Sequence, residues 1–417
     1  MKKNTAKFLS ILLALVLLLA FVSCDGEIGG PASTTATDAP TSTTAGTTVA
    51  TTTGSQILVT PDTEDEISEI KNLILIIGDG MGIEHIAAGE MYTGDDFKFT
   101  DWQRTSVNTD SVGTNGKGPV LTDSAAAGTA LATGKLTVNS YLGKDHAGMD
   151  VLTIMDKASK TYKKSTGVVT TDSLLGATPS AFSAHSTNRN DSATIFSTQV
   201  VSGVDLLCGS TDSYCTSRKA TIESNGYTYC DNFSKVKNIM SADKTYWQFD
   251  LAGATATVAL CDVAVQAMNY LDQDTDGFVL MIEQAHIDKY SHSNDFDGMV
   301  KSVKSLNDTV EAVLAWIGER NDTAILITAD HETGGLNVSS EARFNSRYSN
   351  SLAAGLDKIY YNWSSDNHTN SKVGLFVYGI EVDFSQFDYY SSHHLIKNTD
   401  VHNLMVDVIE KPTLYVK

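Results

Sequence analysis

Apolar residues along most of this chain are grouped into short, nearly continuous runs separated by longer mixed segments. Strands with one solvent-facing side alternate apolar and polar residues, whereas strands covered on both faces do not. The pattern therefore predicts strands of a mostly parallel sheet. The five runs lie at residues 72–80, 165–172, 277–283, 323–331 and 373–379.

Segments with helical patterns lie between these runs, at residues 124–133, 150–161, 257–271 and 297–318. Alternation of strands and helices favours an α/β fold, in which a doubly wound, mostly parallel central sheet is flanked by helices. Residues 200–255 are polar and aromatic with weak periodicity, and we interpret this region as a cap-like insertion.

The first 24 residues have the pattern of a signal peptide: lysines, then an apolar stretch at residues 8–22, then small residues. The apolar stretch is shorter than the roughly 20 residues of a membrane span. Cys24 follows Phe-Val-Ser, which resembles a bacterial lipobox, although Phe21 replaces the common Leu. We expect an exported protein, anchored to the outer face of a bacterial membrane through lipidated Cys24. The alternative is ordinary cleavage, which gives a secreted or periplasmic protein.

Residues 25–63 are rich in Thr, Ser and Ala and contain few large apolar residues. Such a composition cannot bury a core, so we predict a disordered stalk. The folded domain is expected to comprise residues 64–417.

The chain of 417 residues contains 30 Lys and Arg against 50 Asp and Glu, a formal net charge of −20. This charge repels nucleic-acid phosphates, so a nucleic-acid partner is not expected. Anionic small molecules are repelled as well. A site for phosphate would therefore need a local positive charge, such as a bound metal ion.

Five cysteines are present, and setting Cys24 aside leaves Cys208, Cys215, Cys230 and Cys261. In an exported protein these four could form two disulfides, with three possible connectivities that the sequence does not distinguish.

Acidic side chains and histidines follow three of the predicted strands. A single Asp at a strand end is commonly a turn residue. Three such ends converge on one crevice, because the carboxyl ends of parallel strands lie together. Clustered carboxylates repel one another unless divalent cations bind them, and mixed Asp and His ligands suit zinc. The side chains concerned are Asp79, Glu283, Asp288, His292, Asp330 and His331.

Six segments resemble, in order, the motifs of the alkaline phosphatases. The resemblance extends from residue 72 to the C-terminus, and the six motifs together are far more specific than any one of them. The segments are IGDGMG (77–82), TDSAAAGTA (122–130), ATPSAFSAH with a following Arg (177–189), IEQAHIDKYSH (282–292), TADHETGG (328–335) and NHT (367–369).

The resemblance implies a role for each matching residue. Ser124 matches the nucleophile that becomes phosphoserine, Arg189 the residue that binds phosphate, and Asp123 the residue that orients this Arg. The metal sites follow: Asp288, His292 and His368 for a first zinc; Asp79, Asp330 and His331 for a second zinc; Asp79, Thr178 and Glu283 for magnesium.

These implied roles agree with elementary chemistry. Metal coordination activates a serine hydroxyl, and a helix N-terminus favours phosphate. The planar Arg side chain fits two phosphate oxygens, and two zinc ions about 4 Å apart can stabilise the attacking and leaving oxygens.

One position departs from the family pattern. Many members have Asp or His two residues before the Thr that matches Thr178, where this chain has Gly176. The magnesium is therefore expected to be bound differently, more weakly or with more water. Lys289 is expected either to hold phosphate through water or to be a solvated surface side chain.

The function implied is hydrolysis of small phosphate monoesters with two zinc ions and one magnesium ion, in a possible homodimer. Two alternatives stay open at this point. One is another two-metal phosphoryl-transfer enzyme of the same superfamily, such as a phosphodiesterase or a mutase. The other is a surface protein that binds phosphate without turnover.

Overall fold

The computed structural model describes Leu58 and residues 67–340, 350–354, 357–410 and 413–415. The predicted signal peptide and nearly all of the predicted stalk lie outside these residues. Within the described part of the chain, no helix combines the length and the apolar character needed to cross a membrane.

The strands, numbered in chain order, are β1 (Ile67–Glu69), β2 (Asn72–Gly78), β3 (Gln103–Asn108), β4 (Ser111–Val112), β5 (Pro119–Val120), β6 (Ser165–Thr170), β7 (Leu206–Ser210), β8 (Thr228–Cys230), β9 (Thr245–Phe249), β10 (Phe278–Gln284), β11 (Thr323–Thr328), β12 (Glu332–Thr333), β13 (Leu336–Ser339), β14 (Asn350–Ala354), β15 (Asp357–Trp363), β16 (His368–Thr369), β17 (Val373–Tyr378), β18 (Ile396–Lys397) and β19 (Thr413–Tyr415).

The helices are α1 (Ile83–Thr93), α2 (Ser124–Thr133), α3 (Ile154–Tyr162), α4 (Ala177–Ser183), α5 (Ser192–Gln199), α6 (Ser213–Thr216), α7 (Lys219–Ser224), α8 (Leu260–Leu271), α9 (His286–His292), α10 (Phe296–Ile317), α11 (Tyr390–His393) and α12 (Asn398–Glu410).

One ten-stranded sheet forms the centre of the fold, in the order β18-β3-β17-β11-β2-β10-β6-β7-β9-β8. All neighbours from β11 to β8 are parallel. Every residue of β2, β10 and β11 is buried, as expected for strands covered on both faces. The predicted α/β fold with a mostly parallel sheet is therefore confirmed.

The strand predicted at residues 373–379 forms β17, but it runs antiparallel to β11. A parallel neighbour requires a crossover connection, usually a helix. The described residues between β11 and β17 instead form short antiparallel strand pairs, β12 with β16 and β15 with β13 and β14. The chain therefore returns to the sheet in the opposite direction.

Two groups of helices cover the sheet. Helices α1, α8, α9 and α10 pack on one another and contact β6 and β10, whereas α2, α3, α4 and α12 form the second group. Helix α2 has the predicted bounds. Helix α3 begins four residues later than predicted, because Thr153 caps it by accepting a hydrogen bond from the Asp156 amide.

The region 200–255, which we interpreted as an insertion, contributes β7, β8 and β9 to one edge of the central sheet. Its three cysteines, and Cys261 of α8, do not form the disulfides considered above, because all four thiols in the described residues are free. Cys208 of β7 and Cys230 of β8 lie in register with Trp247 of β9, one on each side. Two strand spacings separate them, roughly 9–10 Å, whereas a disulfide needs Cα atoms closer than about 7 Å.

Candidate active site

Three neighbouring strands, β11, β2 and β10, bring predicted acidic residues together at their carboxyl ends. Asp79 directly follows β2, and Asp330 lies two residues after β11. Glu283, near the end of β10, is in register with Ile77 of β2 and Thr170 of β6. Parallel neighbours therefore place these carboxyl groups side by side, as the strand-end pattern predicts.

Ser124 is the first residue of α2 and is buried. The cap of this helix is Asp123, whose side chain accepts a hydrogen bond from the Ala126 amide. The Ser124 hydroxyl is thus not needed as a cap, and its Oγ lies 3.1 Å from His331 Nε2. Its position at a helix N-terminus favours negative charge on a group bound there.

Asp123 also holds Arg189. One carboxylate oxygen accepts from Arg189 Nη1 at 3.1 Å and from the Ser140 amide at 2.9 Å, while the other accepts from the Ala126 amide at 2.9 Å. The Arg189 side chain is about one-third exposed. Asp123 therefore holds the Arg189 side chain at Nη1, and the assignment of Arg189 to phosphate binding stays a prediction.

Two groups of side chains have donor atoms close enough to share a metal ion. Asp79, Asp330 and His331 form one group, and Asp288, His331 and His368 form the other, with the atoms of each group within 4.8 Å of one another. His331 thus lies within reach of both.

His292 and His368 approach the same carboxylate. Their Nε2 atoms lie 3.3 Å and 3.7 Å from Asp288 Oδ1. His292 Nδ1 lies 2.7 Å from the Asp366 carbonyl oxygen, and His368 Nδ1 lies 2.8 Å from that of Thr122. A carbonyl oxygen only accepts, so both Nδ1 atoms donate, and each Nε2 is the ring nitrogen left to face Asp288 or a metal ion, as in metal-binding histidines.

Thr333 sets the orientation of His331 and Asp288. Its Oγ1 lies 2.6 Å from Asp288 Oδ1 and 3.2 Å from His331 Nδ1. If the hydroxyl donates to the carboxylate, it accepts from Nδ1 and leaves the Nε2 lone pair unprotonated. That lone pair faces Asp330 Oδ2 at 3.2 Å and Asp79 Oδ1 at 3.6 Å. Three acceptors then converge, an arrangement that a cation stabilises.

Burial and mutual repulsion perturb the carboxyl groups strongly. Burial raises the pKa of Asp79 well above its usual value, and the charges of Asp330, Asp288 and Glu283 raise it further. Burial also raises the pKa of Asp330, and it raises that of Glu283 to about 8. Without cations this cluster resists full ionisation.

Several buried polar atoms of the site have no hydrogen-bond partner among the described residues, namely Asp79 Oδ1, Asp330 Oδ2 and Thr178 Oγ1. An unpaired buried polar atom costs free energy, which a metal ligand bond removes. The buried oxygen and nitrogen donors thus fit divalent cations, in agreement with the sequence-based expectation of a metal centre.

Thr178 lies on α4 beside Glu283, and Gly176 caps that helix. Lys289, for which two roles stayed open, forms an ion pair with Asp172. Sequence reasoning missed Asp172 and Thr333. Asp172 could have been found by the strand-end rule, because it ends the apolar run 165–172. Thr333 has no sequence signal apart from its place in the TADHETGG segment.

Two other histidines, His85 and His185, have structural partners. His85 is buried, accepts from the Gly82 amide and lies 3.1 Å from Ser291 Oγ. His185 contacts the Gly143 carbonyl oxygen, so it fixes a loop.

Together these features define an α/β protein in which a helix-terminal serine faces a candidate metal centre. The sequence profile described as alkaline phosphatase matches residues 70–211 and 241–372. The chain belongs to the alkaline phosphatase family.

Individual relatives agree with this assignment. Alkaline phosphatase 4 of Bacillus subtilis is 31% identical over 301 residues, which cover 67% of this chain and 65% of that protein. Alkaline phosphatase 3 of the same organism is 30% identical over 66% of this chain and 64% of its own length. The chain thus spans just under two thirds of these two relatives. The alkaline phosphatase of the Antarctic bacterium TAB5 has the same fold, with a TM-score of 0.69 at 23% identity over 82% of this chain and 99% of that one.

Proposed function

We propose that this protein hydrolyses phosphate monoesters to an alcohol and inorganic phosphate through a phosphoserine intermediate on Ser124. The observation that carries the proposal is the position of Ser124 Oγ, at a helix N-terminus and 3.1 Å from a histidine of the candidate metal centre. Membership of the family and the similarity to the Bacillus alkaline phosphatases support it.

We propose two zinc ions and one magnesium ion as cofactors. Asp288, His292 and His368 are assigned to the first zinc, and Asp79, Asp330 and His331 to the second. The oxygen donors Glu283 and Thr178, with Asp79, are assigned to magnesium, because hard cations prefer oxygen. When bound, such ions lower the pKa of an attacking hydroxyl and neutralise charge on phosphate oxygens.

The protein side chains then account for the rest of the reaction. Arg189 donates two N–H groups to phosphate oxygens, and Asp123 keeps its guanidinium in place. Ser124 Oγ attacks phosphorus as the ester P–O bond breaks; the serine loses a proton and the departing alcohol gains one. Water then attacks the phosphoserine, and Ser124 recovers a proton as inorganic phosphate leaves.

Replacing Ser124 by Ala tests the proposal. Loss of a nucleophile lowers kcat by roughly 10³–10⁶-fold, and no labelled phosphate should remain on the variant after acid quenching. Ser192→Ala is a matched control, because α5 also begins with Ser directly after an Asp cap but carries no predicted site residue. Unchanged turnover in Ser124→Ala would refute the nucleophile assignment.

The alternatives give different results in the same assay. Faster cleavage of a bis-nitrophenyl phosphate than of nitrophenyl phosphate would favour a phosphodiesterase. Absence of turnover by the zinc-loaded protein at alkaline pH would favour a binding protein.

We also propose that residues 1–24 direct export and that Cys24 is lipidated. The proposal predicts incorporation of labelled palmitate in a bacterial host, and loss of that label in Cys24→Ala. Equal labelling of both chains would contradict it.

A further inference from the structure

The space beside Gly176 is occupied by another side chain. A Cβ atom added at Gly176 would lie 2.8 Å from Asp172 Oδ2 and 2.9 Å from the Ser173 carbonyl oxygen. Both separations are shorter than ordinary contacts. Position 176 therefore cannot carry a side chain while Asp172 has this conformation, and the absence of a side chain there does not leave an empty space.

Asp172 lies beside the oxygen donors assigned to magnesium. Its charge contributes, after burial, to the raised pKa of Glu283. The backbone amide of Asp172 donates to Thr170 Oγ1, and that hydroxyl in turn donates to Glu283 Oε2. The loop after β6 is thus tied to Glu283 through a single threonine.

A separate observation indicates that this cluster has a ligand. Thr178 Oγ1 is buried within a residue that is 1% exposed and makes no hydrogen bond of normal geometry among the described residues, although it lies near enough to Glu283 to lower the pKa of that carboxyl group. Asp79 Oδ1 on the neighbouring strand is also unpaired. The unpaired oxygens of Asp79 and Thr178, together with the buried carboxyl group of Glu283, suit a hard divalent cation.

We propose that Asp172 supplies the carboxylate beside the magnesium position that a residue at 176 would otherwise provide. Asp172 is a positioning residue: its negative charge stabilises the bound cation, and its side chain does not touch the substrate. Its second partner is Lys289 of α9, with which it forms an ion pair. The inference rests on the proposed function for the identity of the site. Of the three expectations for Gly176, namely magnesium bound differently, more weakly or with more water, it favours the first.

The two members of this ion pair should act on the cation in opposite directions. Asp172 attracts a cation and Lys289 repels it. Removing the charge of Asp172 should therefore lower magnesium affinity, and removing the charge of Lys289 should raise it. A salt bridge that only fixed α9 to the loop would behave differently, because both variants would then have the same effect.

The test is calorimetric titration of zinc-loaded protein with Mg²⁺, which does not require turnover. We expect Asp172→Asn to weaken magnesium binding roughly 10–100-fold and Lys289→Gln to strengthen it. Asp308→Asn is the matched control, because Asp308 also pairs with a lysine, Lys304, but on the surface of α10. Its affinity should equal that of the wild type.

Magnesium affinity within twofold of wild type in Asp172→Asn, or equal weakening in both variants, would overturn the inference. If Asp172→Asn does not fold, Lys289→Gln decides alone, since unchanged or weaker binding contradicts the proposal. A protein that binds magnesium as expected but releases no phosphate would refute the proposed function and leave the role of Asp172 standing.

Discussion

Removing the metal ions should make the stability of this protein fall as pH rises above neutrality. Chelation leaves Asp79, Glu283 and Asp330 buried together without a neutralising charge. Burial raises the pKa of each. The folded metal-free protein therefore holds protons that the unfolded chain has already released.

The magnitude follows from Glu283, whose pKa rises from 4.5 to about 8 on folding. Between these values the folded state binds more protons than the unfolded state, so the free energy of unfolding decreases as pH increases. Each pH unit contributes about 1.4 kcal/mol. From pH 6.5 to 8 this one group should remove about 2 kcal/mol. Asp79 and Asp330 act in the same direction.

Buried histidines act in the opposite direction but at lower pH. Burial lowers the pKa of His85 and His402 to about 3 and that of His286 to about 4, from 6.5. Their folded forms bind fewer protons, so they raise stability as the unfolded chain loses its histidine protons, and each still adds about 0.4 kcal/mol between pH 6.5 and 8. The histidine contribution is the same in wild type and in Glu283→Gln, so the difference between these two chains over the interval isolates the carboxyl group.

Urea denaturation of the chelated protein at pH 6.5 and pH 8 measures the effect. A loss of about 2 kcal/mol is a large share of a typical stability of about 5–15 kcal/mol. Glu283→Gln should remove much of the pH dependence, and saturating zinc and magnesium should suppress it. A free energy of unfolding that stays constant or rises over this interval in the metal-free protein would refute the reasoning.

Three further results are expected. Asp123→Asn should weaken phosphate inhibition by about 1–3 kcal/mol, or 5- to 150-fold, because Arg189 loses its charged partner; an unchanged inhibition constant would contradict this role. Thr333→Val should lower zinc affinity roughly 10–100-fold, since the valine cannot orient Asp288; equal zinc content after dialysis against a weak chelator would argue against it. Thiol titration of the denatured, unreduced protein should detect all four of these cysteines, Cys208 among them, whereas two disulfides would leave none of the four reactive. Dithiothreitol should leave the melting temperature unchanged, and a shift of several degrees would indicate disulfides.

The central strands were predictable from sequence because they are buried on both faces. Strands β2, β6, β10 and β11 each correspond to a continuous apolar run, and this signal does not depend on which strands are neighbours. The direction of β17 could not be derived in this way. It depends on the connection between β11 and β17, in which short antiparallel strands replace a crossover helix.

The edge of the sheet was harder to predict for a related reason. Strands β7, β8 and β9 are short and lie in a region of polar and aromatic residues, so their periodicity is weak. Their pairing in the sheet depends on residues far apart in the chain. For the same reason, the spacing of the cysteines in sequence does not show that strand β9 separates Cys208 from Cys230.

The residues of the candidate site were largely accessible from sequence, since each lies in a family motif and the structure brings them to one region. Asp172 lies at the end of the apolar run 165–172 and so has a strand-end signal, but it lies outside the six family motifs. Its relevance depends on the fold of the loop after β6, which turns the Asp172 side chain into the space beside Gly176.

The candidate metal centre also has a consequence for the order of events during biosynthesis. Its parts are far apart in the chain: Ser124 and His331 are separated by 207 positions, Gly80 and Asp330 by 250, and Thr122 and His368 by 246. A ribosome that has synthesised the first three hundred residues has therefore produced most of the sheet but only part of this pocket. The full set of candidate ligands exists only after His368 has been synthesised, so the compartment in which this late part of the chain folds should influence which ions the protein acquires.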